Sequence, residues 1–201
     1  MRLATGRRAV FLDRDGTIIE EVGYLGKPEQ VALLPGAAEA IARLNANGLL
    51  AIVVTNQSGI ARGLLTEEDY WRTERRVDEL LAQGGAQLDA RYFCPHLPEL
   101  TGPCECRKPG SLLYREAAER FDIDLQRSWW VGDRLRDVTP AEAFGARGIL
   151  VQTGAGETEV SGSRAPRFSR AVDLLEAVDV ILTEARGPVP PHPEGELDPA
   201  P

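Results

Sequence analysis

AVFLDRDGT, residues 9–17, is the stretch on which the fold turns. Four apolar residues, Ala9 to Leu12, stop abruptly at Asp13, and a second carboxylate, Asp15, follows two residues later. An unbroken apolar run, rather than an alternating one, fits a strand buried on both faces, as in a parallel sheet. The pattern recurs twice. In GLLAIVVTNQSG the run Leu49 to Val54 ends in Thr55-Asn56, and in SWWVGDRLRD the run Trp129 to Val131 ends in Gly132-Asp133. Helical spacing fills the intervals. Pro35-Gly36 opens one helix through Ile41 and Leu44, which Gly48 stops. Thr66 caps a second, with Glu67, Glu68 and Asp69 in its first turn and Tyr70, Val77 and Leu81 on one face. A third is predicted from Ser111 to Phe121 and a short fourth from Asp137 to Gly145, and Leu174, Leu175, Val178, Ile181 and Leu182 mark a last one. Strands alternating with helices predict a doubly wound, Rossmann-like α/β fold: a parallel sheet with helices on both faces.

The 201 residues fit one domain, read as 1–186, with a tail at 187–201 that holds six of the 14 prolines and is expected to be disordered. His192 in that tail reads as solvated. A net charge of −8 argues against a broad basic surface for nucleic acid or anionic membrane. No apolar run approaches the roughly 20 residues of a spanning helix. The first residues lack the apolar core of a secretory signal, so a cytoplasmic location is expected.

The polar residues fall in a pattern. Asp13, Thr55-Asn56 and Asp133 each follow an apolar run directly. Ligands of open parallel sheets bind beyond the carboxyl ends of the strands, so three distant segments are predicted to meet at one edge. One such aspartate reads equally well as a helix cap; the set, with Lys108, does not. Asp13, Asp15 and Asp133 make an all-oxygen site suited to Mg(II). Lys108, Thr55 and backbone N–H groups near Asn56 suit phosphate oxygens. A carboxylate beside such a metal and such donors points to an aspartyl-phosphate intermediate.

A second cluster lies in YFCPHLPELTGPCECRKPG, residues 92–110. It contains all three cysteines, Cys94, Cys104 and Cys106, and one of the two histidines, His96. The spacing C-x-H-x7-C-x-C offers four N/S ligands, the tetrahedral set of structural Zn(II), with no position left open for catalysis. Pro95, Pro98, Pro103 and Gly102 predict a loop rather than a helix or strand. A loop with little to bury needs a clamp, and zinc would staple the following Arg107-Lys108 in place.

The segments LDRDGT, VVTNQSG, RKP and GDRLRD, in that order, resemble the four motifs of the haloacid dehalogenase superfamily of phosphatases. The resemblance covers Ala9 to about Leu182 and leaves room for loops but no large cap domain. Within the superfamily, TNQSGIARG, CPHLPELTGPCECRKP and EEVGYLGKPEQ resemble the heptose bisphosphate phosphatase family. The related histidinol-phosphate phosphatases share the zinc loop but usually differ after TNQ. The resemblance implies that Asp13 is the nucleophile and that Asp15 is the acid and then the base. It also implies that Thr55 and Lys108 hold the transferring phosphoryl group. Mg(II) would bind Asp13, Asp133 and the backbone carbonyl of Asp15, with Asp137 supporting the metal site from behind. Glu21, Val22, Gly23, Tyr24, Asn56, Gln57, Ser58, Arg107 and Arg134 are the implied substrate contacts, and Arg62 stands between solvated charge and contact. RKPGSLL is shorter than the family's usual segment, so the geometry after Pro109 is not carried over. The expected enzyme is a monomer acting on a small sugar phosphate. The alternatives are histidinol phosphate or a DNA 3′-phosphate end as substrate, or a zinc-stapled binding protein without catalysis. The net charge weighs against DNA, and the intact set of Asp13, Asp15, Lys108 and Asp133 weighs against a non-catalytic protein.

Overall fold

The computed structural model describes residues 6–162 and 168–187. Its strands are β1 (Ala9–Leu12), β2 (Leu50–Asn56), β3 (Ala90–Cys94), β4 (Trp129–Gly132), β5 (Arg147–Val151) and β6 (Ser169–Ala171). They form one sheet in the order β3-β2-β1-β4-β5-β6, every pairing parallel. The chain builds outward from β1 to β3, then crosses back to start β4 on the other side. β1 and β4 are therefore neighbours at the point where the winding reverses, and the loops leaving them diverge to opposite faces. That divergence opens the crevice in which doubly wound folds bind ligands.

The helices are α1 (Ala37–Ala46), α2 (Ser58–Ala61), α3 (Glu67–Gln83), α4 (Pro98–Thr101), α5 (Leu112–Phe121), α6 (Leu135–Val138), α7 (Gly156–Gly162) and α8 (Leu174–Arg186). Successive strand residues point to opposite faces, and both faces are covered. Val10, Leu12, Val53 and Val131 pack with Ile41 and Leu44 of α1, Val77 and Leu81 of α3, and Val178 and Ile181 of α8. Phe11, Ile52, Val54 and Trp130 pack with Leu113, Tyr114 and Ala117 of α5. This two-sided cover is why the strands read as continuous apolar runs. The cap at Thr66 forms as expected: Thr66 Oγ1 accepts from Asp69 N at 3.1 Å, and Asp69 Oδ2 accepts from Thr66 N at 2.8 Å.

Three expectations need correction. The segment 92–110 is not all loop: Tyr92 to Cys94 complete β3, and Pro98–Thr101 form α4. Proline is accepted at a helix's first position, where no N–H is needed, so Pro98 starts a helix rather than forbidding one. The helix predicted from Asp137 to Gly145 is α6 followed by a 3₁₀ helix, Thr139–Phe144. Pro140 has no N–H to continue the α ladder, and the chain tightens instead. β3, β5 and β6 were not among the predicted strands. Residues 13–36, where a cap domain could be inserted, hold only the bridges Asp15–Ile19 and Ile19–Leu33 and a 3₁₀ turn at Pro28–Gln30. The tail beyond Gly187, with His192, lies outside the described residues.

Trp130 centres the second face. It is fully buried, with its ring 4.7 Å from Phe11, 5.5 Å from Tyr114 and stacked on Phe144 at 5.6 Å. Trp130→Ala is expected to cost about 3–5 kcal/mol, read as a lower urea midpoint at unchanged slope. A loss under about 1 kcal/mol would show that the aromatic cluster is not the anchor of this face.

Candidate active site

Because β1 and β4 are adjacent, the residues that leave their carboxyl ends meet. Asp13 extends the pairing, its N–H donating to Val131 O at 2.9 Å. Carboxylate oxygens of Asp13, Asp133 and Asp137 lie within 4.8 Å of one another, and all three residues are buried. Lys108 arrives from the loop between β3 and α5. Its Nζ lies 2.6 Å from Asp13 Oδ1, 2.8 Å from Asp137 Oδ1 and 2.7 Å from Val54 O. Asn56, at the end of β2, grips the Lys108 backbone from both sides: Lys108 N donates to Asn56 Oδ1 at 3.0 Å, and Asn56 Nδ2 donates to Lys108 O at 3.2 Å.

The electrostatics of this cluster define what it lacks. Burial opposes the charge on Lys108, but Asp13 and Asp137 outweigh it and hold its pKa above the usual lysine value. Burial, then repulsion from Asp13, pushes Asp133 up to about 7. The same two causes push Asp137 to about 6, with Lys108 pulling the other way. With every carboxylate of the cluster ionised, three negative charges against one ammonium would leave −2, and it is this excess that burial and mutual repulsion resist. Asp133 Oδ2 accepts from Ala155 N at 2.8 Å, while Asp133 Oδ1 is buried with no hydrogen-bond partner among the described residues. A divalent cation with oxygen preference fits both the charge and the orphaned acceptor. Asp137 accepts from Arg134 N through Oδ2 at 2.9 Å; its Oδ1 is 2.8 Å from Lys108 Nζ as an ion pair but, like Asp133 Oδ1, has no aligned hydrogen bond among the described residues.

The backbone comes close to this site. A Cβ on Gly16 or Gly154 would stand 2.5 or 2.4 Å from Asp133 Oδ2, and both residues have positive φ. Only glycine permits that approach. Thr153 Oγ1 donates to Gly16 O at 2.6 Å, so the loop after β5 braces the loop after β1.

The carboxylate of Asp15 is turned away from the three-aspartate group. Arg14 holds it with two nitrogens, at 3.0 and 2.9 Å, and Gln57 Nε2 donates to it at 3.0 Å. Gln57 Nε2 also donates to Thr55 Oγ1 at 2.9 Å, so this buried side chain braces the site from within. A small, polar cleft opens above, lined by Asp13, Asp15, Glu21, Thr55, Asn56, Lys108, Arg134 and Arg136. Seven of these eight were anticipated; Arg136 was not, although it stands two residues after Arg134 in GDRLRD. Of the other anticipated contacts, Val22 and Tyr24 are exposed on the loop containing Gly23, and Ser58 begins α2. Arg107 and the exposed Arg62 are not part of the cleft wall.

The cysteine cluster assembles beside this site. Cys94 Sγ lies 3.8 Å from both Cys104 Sγ and His96 Nδ1, and Cys106 Sγ lies 3.1 Å from Cys94 Sγ and 3.2 Å from His96 Nδ1. All three cysteines are free. Tetrahedral Zn–S bonds of about 2.3 Å put ligand sulfurs roughly 3.8 Å apart; the Cys94–Cys104 distance matches this and the Cys94–Cys106 distance is shorter, so the four side chains are close enough together to hold a metal ion. Arg107 Nη1 donates to His96 O at 3.1 Å, which fastens the basic pair to the cluster.

The raised acidities yield a pH test. An unfolded chain ionises Asp133 near its ordinary value of 3.8, before the folded site does near about 7. Between these limits the folded state holds more protons, so stability falls as pH rises. Chelated protein is expected to lose thermal stability from about pH 5 to pH 8, and added Mg(II) to raise Tm more at the higher pH. Equal Mg(II)-induced shifts at both pH values would contradict a cation at these carboxylates.

Residues 105–177 match the model of the HAD-hydrolase-like family. A D-glycero-D-manno-heptose-1,7-bisphosphate 7-phosphatase from Thermosynechococcus vestitus is 43% identical over 88% of this chain and 96% of its own. A D-glycero-beta-D-manno-heptose-1,7-bisphosphate 7-phosphatase from Haemophilus ducreyi is 37% identical over 87% of this chain and 100% of its own. Among solved structures, the D,D-heptose 1,7-bisphosphate phosphatase from B. bronchiseptica, complexed with magnesium and phosphate, superposes with a TM-score of 0.82 at 36% identity. It covers 89% of this chain and 99% of that one. With relatives this similar over nearly their whole length, and with a parallel sheet that sets buried carboxylates against one lysine, the chain belongs to the haloacid dehalogenase-like phosphoric monoester hydrolases, in the family of the heptose bisphosphate phosphatases.

Proposed function

We propose that this protein removes the 7-phosphate of D-glycero-D-manno-heptose 1,7-bisphosphate through an aspartyl-phosphate intermediate. The observation that carries the mechanism is Asp13 at the end of β1, with Lys108 Nζ 2.6 Å from one carboxylate oxygen and its other oxygen left for attack. The similarity to heptose bisphosphate phosphatases supports this choice of substrate.

In this reading an oxygen of Asp13 attacks phosphorus and the bond from phosphorus to the sugar oxygen breaks. Asp15 gives that oxygen a proton. Water then attacks the acyl phosphate, Asp15 takes the water's proton, and phosphate leaves Asp13. Mg(II), held by Asp13, Asp133 and the Asp15 carbonyl, would supply charge neutralisation between phosphate and carboxylate. Lys108 and Thr55 hold phosphoryl oxygens. Arg134 and Arg136 on the cleft wall, with Glu21 opposite in charge, suit the second phosphate and the sugar hydroxyls. Arg107 uses one nitrogen on His96 O and can present the rest of its fork to the remote end of the substrate. Val22 to Tyr24, Asn56 and Ser58 complete the expected contacts.

We read residues 1–186 as one phosphatase domain and 187–201 as a tail outside it. In this reading the protein is a monomer acting on a small sugar phosphate. No helix among the described residues is long and apolar enough to cross a membrane, and the charge of −8 favours neither nucleic acid nor an anionic membrane as partner. A cytoplasmic location remains part of this reading.

Asp13→Asn is expected to fold normally and lose essentially all turnover, since an amide cannot form the acyl phosphate. Activity within tenfold of wild type would sink the mechanism. In a panel of both heptose bisphosphate anomers and histidinol phosphate, a heptose ester is expected to show the highest kcat/KM. Preference for histidinol phosphate would overturn the substrate assignment but not the chemistry.

The zinc reading has its own test. Metal analysis of protein purified under reducing conditions is expected to give one Zn(II) per chain. Cys104→Ser should lower Tm and turnover together by loosening the Arg107-Lys108 segment. Full activity with all three cysteines replaced would show that the cluster does not hold that segment.

A further inference from the structure

Arg14 lies between the two aspartates of the first motif, yet its side chain leaves the cleft. It is 1% exposed, and its partner Glu74, on α3, is 2% exposed. Nε and Nη2 of Arg14 donate to the two oxygens of Asp15, while Nη1 donates to Glu74 Oε1 at 2.9 Å. The other oxygen of Glu74 accepts from Arg91 Nε, on β3, at 2.9 Å. Arg91 reaches on to Asp78 at the surface. The ring of Tyr70 lies 5.4 Å from the Arg14 guanidinium. A ladder of alternating charge thus runs from the edge of the sheet, through the interior, to Asp15.

Stability alone does not explain the ladder. α3 otherwise buries Tyr70, Thr73, Val77 and Leu81. Burying an ion there is costly, and a well-packed apolar pair in place of arginine and glutamate is often as stable or more so. What the ladder supplies is orientation. A guanidinium fork fixes the plane of the carboxylate it grips. The Arg14 side chain is long, and on the side away from Asp15 its guanidinium meets Glu74 through Nη1 and the face of Tyr70. Asp15 sits on a loop, and proton transfer needs it within about 2.6–3.2 Å of the oxygen it serves. The leaving oxygen and the later attacking water occupy the same side of phosphorus, so one fixed orientation serves both steps.

We propose that Glu74 is a positioning residue for Asp15, acting through Arg14, and that the buried ladder holds the acid–base carboxylate in place. This rests on the reading of Asp15 as acid and base. Nothing in the sequence pattern of the motifs marks Glu74, which lies 60 residues from its partner.

The test uses full-length protein with Mg(II) and 4-nitrophenyl phosphate. Nitrophenolate departs as a stable anion, so phosphorylation of Asp13 needs no proton from Asp15. Hydrolysis of the phospho-enzyme still needs Asp15 to take a proton from water. Glu74→Gln is expected to release nitrophenolate at a near wild-type rate in a single turnover with enzyme in excess. Its steady-state kcat should fall about 10- to 100-fold, a part of the 10²–10⁴ that general acid–base catalysis supplies, and KM should fall with it, leaving kcat/KM near wild type because phosphorylation is unaffected. Parallel loss in both assays would mean that Asp13 itself has been displaced, and would overturn the proposal. The paired variant Arg14→Met with Glu74→Leu guards against a folding defect: it should match wild type in Tm and still show the split. A wild-type steady-state rate in either variant also overturns the proposal. Asp15→Asn is the reference. If it retains turnover, the acid–base reading has failed; if it shows the split while the Glu74 variants do not, only the positioning role has failed.

Discussion

An ammonium group wedged among carboxylates at the turning point of the sheet is the contact on which the rest depends. Lys108 touches Asp13 from β1, Asp137 from α6 and a carbonyl of β2, and it is itself held by Asn56. Removing its charge would leave three buried aspartates in mutual repulsion, the costliest kind of defect a protein interior carries. The loop bearing Lys108 has few apolar groups of its own, so its position depends on contacts at both ends: Asn56 on the sheet side and the cysteine cluster on the other. The site is therefore a set of mutually dependent charges rather than a cavity lined by independent residues.

Much of this was legible from the chain alone, for a physical reason. β1, β2 and β4 lie at the centre of the sheet with both faces covered, so they stand out as apolar runs, and the polar residue that ends each run marks the catalytic edge. β3 and β6 lie at the margins. β3 is half-buried and carries Arg91, and β6 is three residues long with two exposed. β5 is different: its run Ile149 to Val151 is as apolar and as long as that of β4 and ends in the polar pair Gln152-Thr153, so it carries the same signature and was overlooked rather than illegible. The marginal strands β3 and β6 do not carry the signature that exposed the other three.

The supporting residues were illegible for a different reason. Asn56 meets Lys108 across 52 residues, Thr153 meets Gly16 across 137, and Glu74 meets Arg14 across 60. No local periodicity encodes such partnerships. Glu74 even contradicts the local pattern, because it is a charge on the buried face of an otherwise regular amphipathic helix. Gly154 is ordinary in sequence and becomes indispensable only when Asp133 is placed against it.

The floor and the rim of the cleft are made of different material. The floor is strand ends and buried ion pairs, where a change at one position is felt at four or five others. The rim is Arg136, exposed on a helix that buries Asp137 and Val138, and the exposed loop from Glu21 to Tyr24. Residues there can be exchanged at small cost to folding. The chemistry of such a molecule is conservative by construction while its choice of substrate is free to drift, so new specificities can arise by rewriting a few rim positions with the reaction intact beneath them.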